Sequence, residues 1–441
     1  MLPFRQYPMK ASFYNIGCKV NFAELSEIES LFRERGFEVV PFGVPADVVI
    51  INTCTVTGNA DADSRKMIRR ARASSPAAFI GVTGCYAQLG AEDIKKIDGV
   101  DAVFGSGEKF AILDLIDDFS KKENPAIYVA GIDGELPFHS ACSLENESRT
   151  RVALKLQDGC DYKCTYCTIP QARGCSRSMA TEELEKAVRR LDDEKKLEVV
   201  LTGINLGEYS YEGKTFFDVL AMLDRMKPGF RSRISSIEPN LVTDEIIGLV
   251  AGSEYICPHF HIPLQSGSDH ILRLMKRRYN TRRFAEKIES IKAAIPDCCI
   301  GVDVITGFPG EEDVHFNETY ELLRSLPISY LHVFSYSMRK NTPAAGFEGK
   351  VAESVKKERT KILRELSESK KNEFYQSQLG KMKTIVPERY SAKKQAWTGW
   401  TGNYVFCSFR GLQDKDRTQI IQLEEIRGDC VTGRLQPDPG A

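Results

Sequence analysis

Apolar and polar positions alternate with two periods along this chain, and the changes of period mark its parts. ASFYNIGCKV reads as a strand ending at Cys18, and ELSEIESLFRERG as a helix stopping at Gly36. ADVVIINTCTV is a continuous apolar strand ending at Cys54, DADSRKMIRRARA a basic helix, and AAFIGVTGCYAQ a third strand ending at Cys85. Strand and helix in alternation predict a small parallel, Rossmann-like α/β sheet. All three cysteines fall just past carboxyl ends of strands, the edge where open α/β sheets form ligand sites.

Residues 121–150 are polar and broken by Pro and Gly, and read as an interdomain connection. From Arg151 to about Ser337 a second alternation runs, with strands in RVALKLQDGC, LEVVLTGINL, RSRISSIEP, HFHIPLQ, IGVDVITGFPG and YLHVFSYS. Six strand–helix units predict a partial, open-sided (β/α)6 barrel of TIM type. Residues 351–379 read as one long charged helix, and from about Gln376 to Pro437 short alternating strands with Gly turns predict a small all-β barrel. The expected domains are therefore 1–120, a linker at 121–150, 151–375 and 376–437.

Composition narrows the class. With 42% hydrophobic and 27% charged residues, the chain is that of a soluble globular protein. It has no apolar run of the roughly 18–20 residues a membrane helix needs. MLPFRQYPMK lacks a signal-peptide core, so a cytoplasmic location and no membrane partner are expected. A net charge of −1 means that nucleic-acid binding has to come from local patches. The 13 cysteines are odd in number and sit in a chain too large to need disulfide staples, which points to metal or redox chemistry.

The first constellation is CDYKCTYC, which sets Cys160, Cys164 and Cys167 at C-x3-C-x2-C spacing after the first barrel strand. Three thiolates so close can hold three irons of a [4Fe–4S] cluster. The fourth iron is then open to chelate S-adenosylmethionine (SAM), whose reductive cleavage yields a 5′-deoxyadenosyl radical. Zinc is the competitor, but it wants a fourth Cys or His nearby, and none of the six histidines lies in this loop. Tyr166 is placed to pack near the adenine. The spacing, this aromatic and the strand context resemble the radical-SAM superfamily. On that resemblance DVITGFPGE at 303–311 is a Gly-rich strand end facing the adenine, and Gly203, Glu238 and Gly307, at strand ends on one face, are SAM contacts. No catalytic residue is expected beyond the cluster cysteines.

Cys18, Cys54 and Cys85 lie 36 and 31 residues apart, so their link is their shared place after three strands. They suggest a second cluster with one open iron, against the alternative of buried cysteines. GCKVN at 17–21, NTCTVT at 52–57, ADADSR at 60–65 and GCYAQ at 84–88 resemble the methylthiotransferase family, as do LKLQDGCDYKCTYCTIPQARG at 154–174 and HIPLQSGSDHILRLMKRRY at 261–279. The match covers nearly the whole chain, in the same order. It implies an N-terminal cluster domain, a radical-SAM barrel, a C-terminal TRAM β-barrel, two [4Fe–4S] clusters and SAM.

GCKVN and NTCTVT are most similar to the branch that methylthiolates C2 of N6-threonylcarbamoyladenosine at position 37 of tRNA, although Phe22 stands where much of that branch has Gln. By this resemblance one SAM methylates a sulfur held at the open iron of the N-terminal cluster. The radical from a second SAM takes hydrogen from C2, and the substrate radical receives the methylthio group. The implied partners are the tRNA anticodon stem-loop and an electron donor such as flavodoxin or ferredoxin, with no DNA. The target base has to leave its stack to enter. The alternatives are the same chemistry on isopentenyladenosine or on an Asp of a ribosomal protein, and, from another class, a zinc-stabilised RNA-binding protein without activity.

The C-terminal end, 376–437, carries 10 Lys+Arg against 6 Asp+Glu, with Trp397, Trp400, Tyr404, Phe406 and Phe409. Basic residues beside aromatics suit phosphate contact and base stacking, against the alternative that each aromatic belongs to a barrel core under a solvated surface, and TGNYVF at 401–406 resembles a TRAM motif. Two further basic runs are candidates for an RNA groove: Arg65, Lys66, Arg69, Arg70 and Arg72, and Arg273, Lys276, Arg277, Arg278, Arg282 and Arg283. Cysteines 142, 175, 257, 298, 299, 407 and 430, and His259, His261, His270 and His332, read as structural or surface residues.

Overall fold

A computed structural model describes residues 8–132, 136–143, 150–412 and 414–436. The chain forms two compact units, one of residues up to 144 with 153–178 and 337–345, the other of 145–152, 179–336 and 346 onward.

In the first unit the run Val48–Thr53 is buried at every position. Val48 and Ile50 enter one core with Leu25, Phe32 and Phe79, while Val49 and Ile51 enter a second with Ile68, Ile80 and Val82. A strand apolar on both faces has to be covered by helices on both, which is the parallel α/β arrangement. The elements are β1 (Lys10–Asn15), α1 (Lys19–Glu34), β2 (Glu38–Val40), β3 (Val48–Thr53), α2 (Gly58–Ser74), β4 (Phe79–Gly84), α3 (Cys85–Lys95), β5 (Ala102–Phe104) and β6 (Ala126–Tyr128). The six strands form one sheet in the order β2-β1-β3-β4-β5-β6, and every pairing is parallel. The stretch 121–150, expected as a connection, thus contributes the sixth strand. Further along, β7 (Arg151–Lys155) leads into the loop of Cys160, Cys164 and Cys167, which α4 (Ile169–Arg173) closes.

The second unit holds β8 (Glu198–Thr202), β9 (Arg231–Ile234), β10 (His259–His261), β11 (Cys299–Thr306) and β12 (Tyr330–Ser335). β8 and β9 pair in parallel, as do β10, β11 and β12, and the parallel bridges Ser232–Ile256 and Ser236–His261 join the two groups. On β11, Val302 and Val304 are buried while Asp303 and Ile305 are part-exposed, so one face meets the helices and the other lines an open interior. A helix over Glu353–Gln378 then leads to β13 (Met382–Ser391), β14 (Ala396–Thr401), β15 (Phe406–Phe409), β16 (Gln419–Arg427) and β17 (Cys430–Leu435). These close into a barrel in the order β13-β14-β15-β17-β16, packed around Ile385, Cys407, Phe409, Ile421, Leu423 and Val431 with Phe374 and Tyr375 of the helix.

The small barrel is fixed to the parallel strands by a buried ion cluster. Glu198 pairs with Arg231 and Arg233, each at 2.7 Å. Arg233 also donates to the Gly402 and Thr401 carbonyls at 2.9 and 3.1 Å, and Arg231 to the Trp400 carbonyl at 2.7 Å. Of the C-terminal aromatics, Trp397, Trp400, Tyr404 and Phe406 are part-exposed against the barrel. Trp400 stacks on Tyr404 at 4.3 Å, the Arg151 guanidinium covers Trp400, and Phe409 is core. Tyr390 of the same barrel is half-exposed and packs on Trp397 at 5.4 Å.

Two candidate metal centres in one unit

Strand register assembles the N-terminal trio. β1 pairs with β3 as far as Asn15–Asn52, and β3 with β4 as far as Thr53–Gly84. The residues that follow, Cys18, Cys54 and Cys85, therefore leave one edge of three adjacent strands. The close approach needs a glycine. At Gly84, with φ +97°, a Cβ would fall 2.3 Å from the Thr53 carbonyl oxygen. Cys54 and Cys85 are buried and Cys18 is exposed. Burial pushes the Cys54 thiol up to about 12, with Cys85 adding to it. A thiol so placed gives up its proton to a bound metal rather than to solvent.

The second trio sits in the same unit. The Tyr162 amide donates to Cys160 Sγ at 3.4 Å and the Ile169 amide to Cys167 Sγ at 3.5 Å. Amide donors aimed at sulfur suit thiolate ligands and tune an iron–sulfur centre. Each set thus fits a cluster held by three cysteines. Tyr166 lies between Cys164 and Cys167, half-buried.

Between the trios lies a buried charge network that sequence reasoning missed. Glu24, on α1, pairs with Lys109 at 2.7 Å, Lys155 at 3.0 Å and Arg173 at 3.0 Å. Arg173 also pairs with Asp158 at 2.8 Å, as does Arg177. Burial alone would raise the Glu24 carboxyl, yet Arg173, Lys109 and Lys155 together hold it well below the usual carboxylate range. A second link is the strap 337–345. Arg339 donates to Thr55 and pairs with Asp61, Ser337 accepts from the Gly58 amide at 2.9 Å, and the Ala344 amide donates to the Thr165 carbonyl at 2.9 Å.

In the second unit Gly203 directly follows β8 and Gly307 directly follows β11. The Gly307 amide is bound to Glu311 Oε1 at 2.8 Å. Glu238 pairs with Arg277, whose side chain is 3% exposed, so Arg277 leaves the list of RNA-groove candidates. Burial pushes the Glu238 carboxyl up, and Arg277 opposes it. The open interior carries a polar row in which Ser236 Oγ meets His261 Nδ1 at 2.7 Å and His261 Nε2 meets Asp303 Oδ1 at 2.8 Å. His332 pairs in register with Asp303, and its ring lies edge-on 5.2 Å from that of His261. No helix among the described residues is long and apolar enough to cross a membrane.

Comparison with known proteins accords with this arrangement. The radical SAM superfamily matches residues 154–323, and a family described as uncharacterized protein family UPF0004 matches residues 10–105. A threonylcarbamoyladenosine tRNA methylthiotransferase, MtaB, of Bacillus subtilis is 40% identical, covering 91% of this chain and 91% of its own length. The protein of the same name in Aquifex aeolicus is 38% identical over 86% of this chain and 93% of its own. A tRNA-2-methylthio-N(6)-dimethylallyladenosine synthase of Syntrophus aciditrophicus is 30% identical over 94% of this chain and 93% of its own. Among solved structures, the radical SAM methyltransferase TsrM of Kitasatospora setae shares the fold, with a TM-score of 0.55 at 13% identity over 76% of this chain and 77% of its own. With a cysteine loop of radical-SAM spacing and relatives this similar along nearly their whole length, the chain belongs to the radical-SAM methylthiotransferase family.

Proposed function

We propose that this protein methylthiolates tRNA, at C2 of N6-threonylcarbamoyladenosine in position 37. The observation that supports it is the occurrence, in one compact unit, of the C-x3-C-x2-C loop and a second thiol trio formed by register at three strand ends. In this reading Cys160, Cys164 and Cys167 hold one [4Fe–4S] cluster, and Cys18, Cys54 and Cys85 a second. Together with SAM, the first supplies the 5′-deoxyadenosyl radical and the second the sulfur group to be transferred. The chain's own residues provide placement: the cysteine loops, the charge network that ties them, and SAM contacts at Tyr166, Gly203, Glu238 and Gly307. The identity of the base rests on the names of the relatives that are 40% and 38% identical, against 30% for the dimethylallyladenosine enzyme. A cytoplasmic location, a flavodoxin or ferredoxin as reductant, and the division into cluster domain, barrel and TRAM-like RNA-binding barrel complete the reading.

The test is iron and sulfide per chain after anaerobic reconstitution, beside a variant with Cys18, Cys54 and Cys85 changed to Ala, followed by nucleoside analysis of tRNA from a deletion strain. About eight irons against about four, on the basis of two four-iron clusters, with loss of the methylthio group from threonylcarbamoyladenosine, is the expected result. About four irons in both proteins ends the sulfur-insertion reading. Loss of the group from isopentenyladenosine instead moves the substrate to that branch.

A further inference from the structure

One buried side chain touches the framework of both thiol trios. Cys18 Sγ lies 3.8 Å from Asn21 Oδ1, and Arg173 donates to that same oxygen at 2.5 Å. Arg173 ends α4, and the carbonyl of the next residue, Gly174, accepts from the Cys160 amide at 3.1 Å. A path from the first sulfur of one trio to the first cysteine of the other thus passes through a single guanidinium.

Both ends of this path are held. Asn21 Nδ2 donates to the Ile16 and Thr53 carbonyls, each at 3.0 Å, so the amide oxygen is aimed by the residues that precede Cys18 and Cys54. Asn52 Nδ2 adds a bond to the Asn21 carbonyl at 2.8 Å. On the other side the guanidinium is gripped by both Glu24 oxygens at 3.0 Å and by Asp158 at 2.8 Å. Arginine keeps its charge at any working pH. At 1% side-chain exposure that charge acts with little solvent screening.

We propose that Arg173 is a positioning residue that, through Asn21, fixes the N-terminal trio against the barrel cysteine loop and raises the reduction potential of the cluster held by Cys18, Cys54 and Cys85. The inference rests on the two-cluster reading above. The electrostatic half follows from charge: reduction adds an electron to the cluster, and a fixed cation beside it stabilises the reduced form. The geometric half follows from the planar fork, which reaches Asn21, Glu24 and Asp158 at once. Lysine keeps the charge and loses the fork, so it separates the two tasks.

The test compares the parent with Arg173→Lys, Arg173→Gln and Arg173→Met, in each of which Glu24 keeps Lys109 and Lys155 as partners. Iron per chain is measured, and the potential of each cluster is read by EPR during redox titration. The expected result is that Arg173→Gln keeps about eight irons, while reduction of the N-terminal cluster becomes at least tenfold less favourable, about 59 mV for one electron. The barrel cluster should move less, and Arg173→Lys should restore most of the shift. Loss of the N-terminal four irons in the Gln and Met variants but not in Arg173→Lys would also bear the proposal out, through its positioning half. Full iron loading with both potentials within threefold of the parent's equilibria in every variant overturns it. A parent with only about four irons would instead remove the underlying two-cluster reading, and the proposal with it.

Discussion

Arg339 donates to the Thr55 hydroxyl at 2.6 Å across 284 residues of sequence. Thr55 directly follows Cys54, and six residues beyond it Asp61 takes the same guanidinium into an ion pair. The strap that carries Arg339 also reaches Thr165, the residue after Cys164. One short segment therefore borders both cysteine loops. Changing Arg339 to Ala removes bonds to a charged donor that is only 13% exposed, and the expected loss is about 1.5–3 kcal/mol of local stability. Trypsin digestion of the apoprotein should cut at Lys340 several-fold faster in the variant. An unchanged cleavage rate would mean that the strap is held by its backbone bonds alone.

Glu24→Gln should be among the most destabilising single substitutions in the chain. It takes the pairing carboxylate from Lys109 and leaves Lys155 and Arg173 with Asp158 alone, all of them buried, and breaking a buried pair costs about 3–5 kcal/mol. Glu185→Gln removes an exposed helix pair with Arg189 and should cost under about 1 kcal/mol. Urea unfolding of the two apoproteins measures the difference, and equal midpoints would refute the assignment.

The same carboxylate sets a pH dependence. Its folded pKa lies well below the ordinary value of 4.5, so the unfolded chain takes up a proton first as pH falls. The stability it contributes is complete above about pH 4.5 and is lost as pH drops toward the folded value. Unfolding midpoints measured between pH 7 and pH 3 should fall for the parent and fall less steeply for Glu24→Gln. Parallel curves would show that Glu24 carries no such linkage.

Why Glu24 escaped the sequence reading is a matter of physics. On α1 it looks like one more charged position in ELSEIESLFRERG, and periodicity assigns such positions to solvent. Its burial is decided by Lys155 and Arg173, 131 and 149 residues away, which no local pattern encodes. β3 was readable because its signal is local: six apolar or small polar residues in a row, each buried. The place of Cys18, Cys54 and Cys85 just past adjacent strands was readable for the same reason, since each strand's apolar run is local. For the aromatics of the small barrel, packing and stacking stood side by side, because composition cannot distinguish Trp400, packed against Arg151 and Tyr404, from a half-exposed ring such as Tyr390.

That distinction predicts a separation of phenotypes. Tyr390→Ala should leave the melting temperature near that of the parent and weaken tRNA binding, since stacking on an aromatic is worth about 1–3 kcal/mol per base. Trp400→Ala should instead lower the melting temperature, because it empties the site between Tyr404, Phe406 and Arg151. Filter binding and calorimetry on the two variants decide the matter, and the reverse pattern would return the stacking role to Trp400.

Two glycines with nearly equal backbone angles allow a final controlled comparison. Gly159, beside Cys160, has φ +68°, and a Cβ there would lie 1.9 Å from the Cys175 carbonyl oxygen. Gly213, in an exposed turn, has φ +77° and nothing within 4 Å of such a Cβ. Gly213→Ala therefore carries only the left-handed backbone cost, about 1–2 kcal/mol, and should leave iron content unchanged. Gly159→Ala carries the same cost and also forces apart the strand end and Cys175, in the loop whose Gly174 carbonyl receives the Cys160 amide. Iron at the C-x3-C-x2-C loop should be lost while that of the N-terminal trio is retained, so the chain should hold about half the parent's iron. Equal iron in both variants would show that the loop adjusts around the added methyl group, and that the left-handed turn at Gly159 is not what holds Cys160 in place.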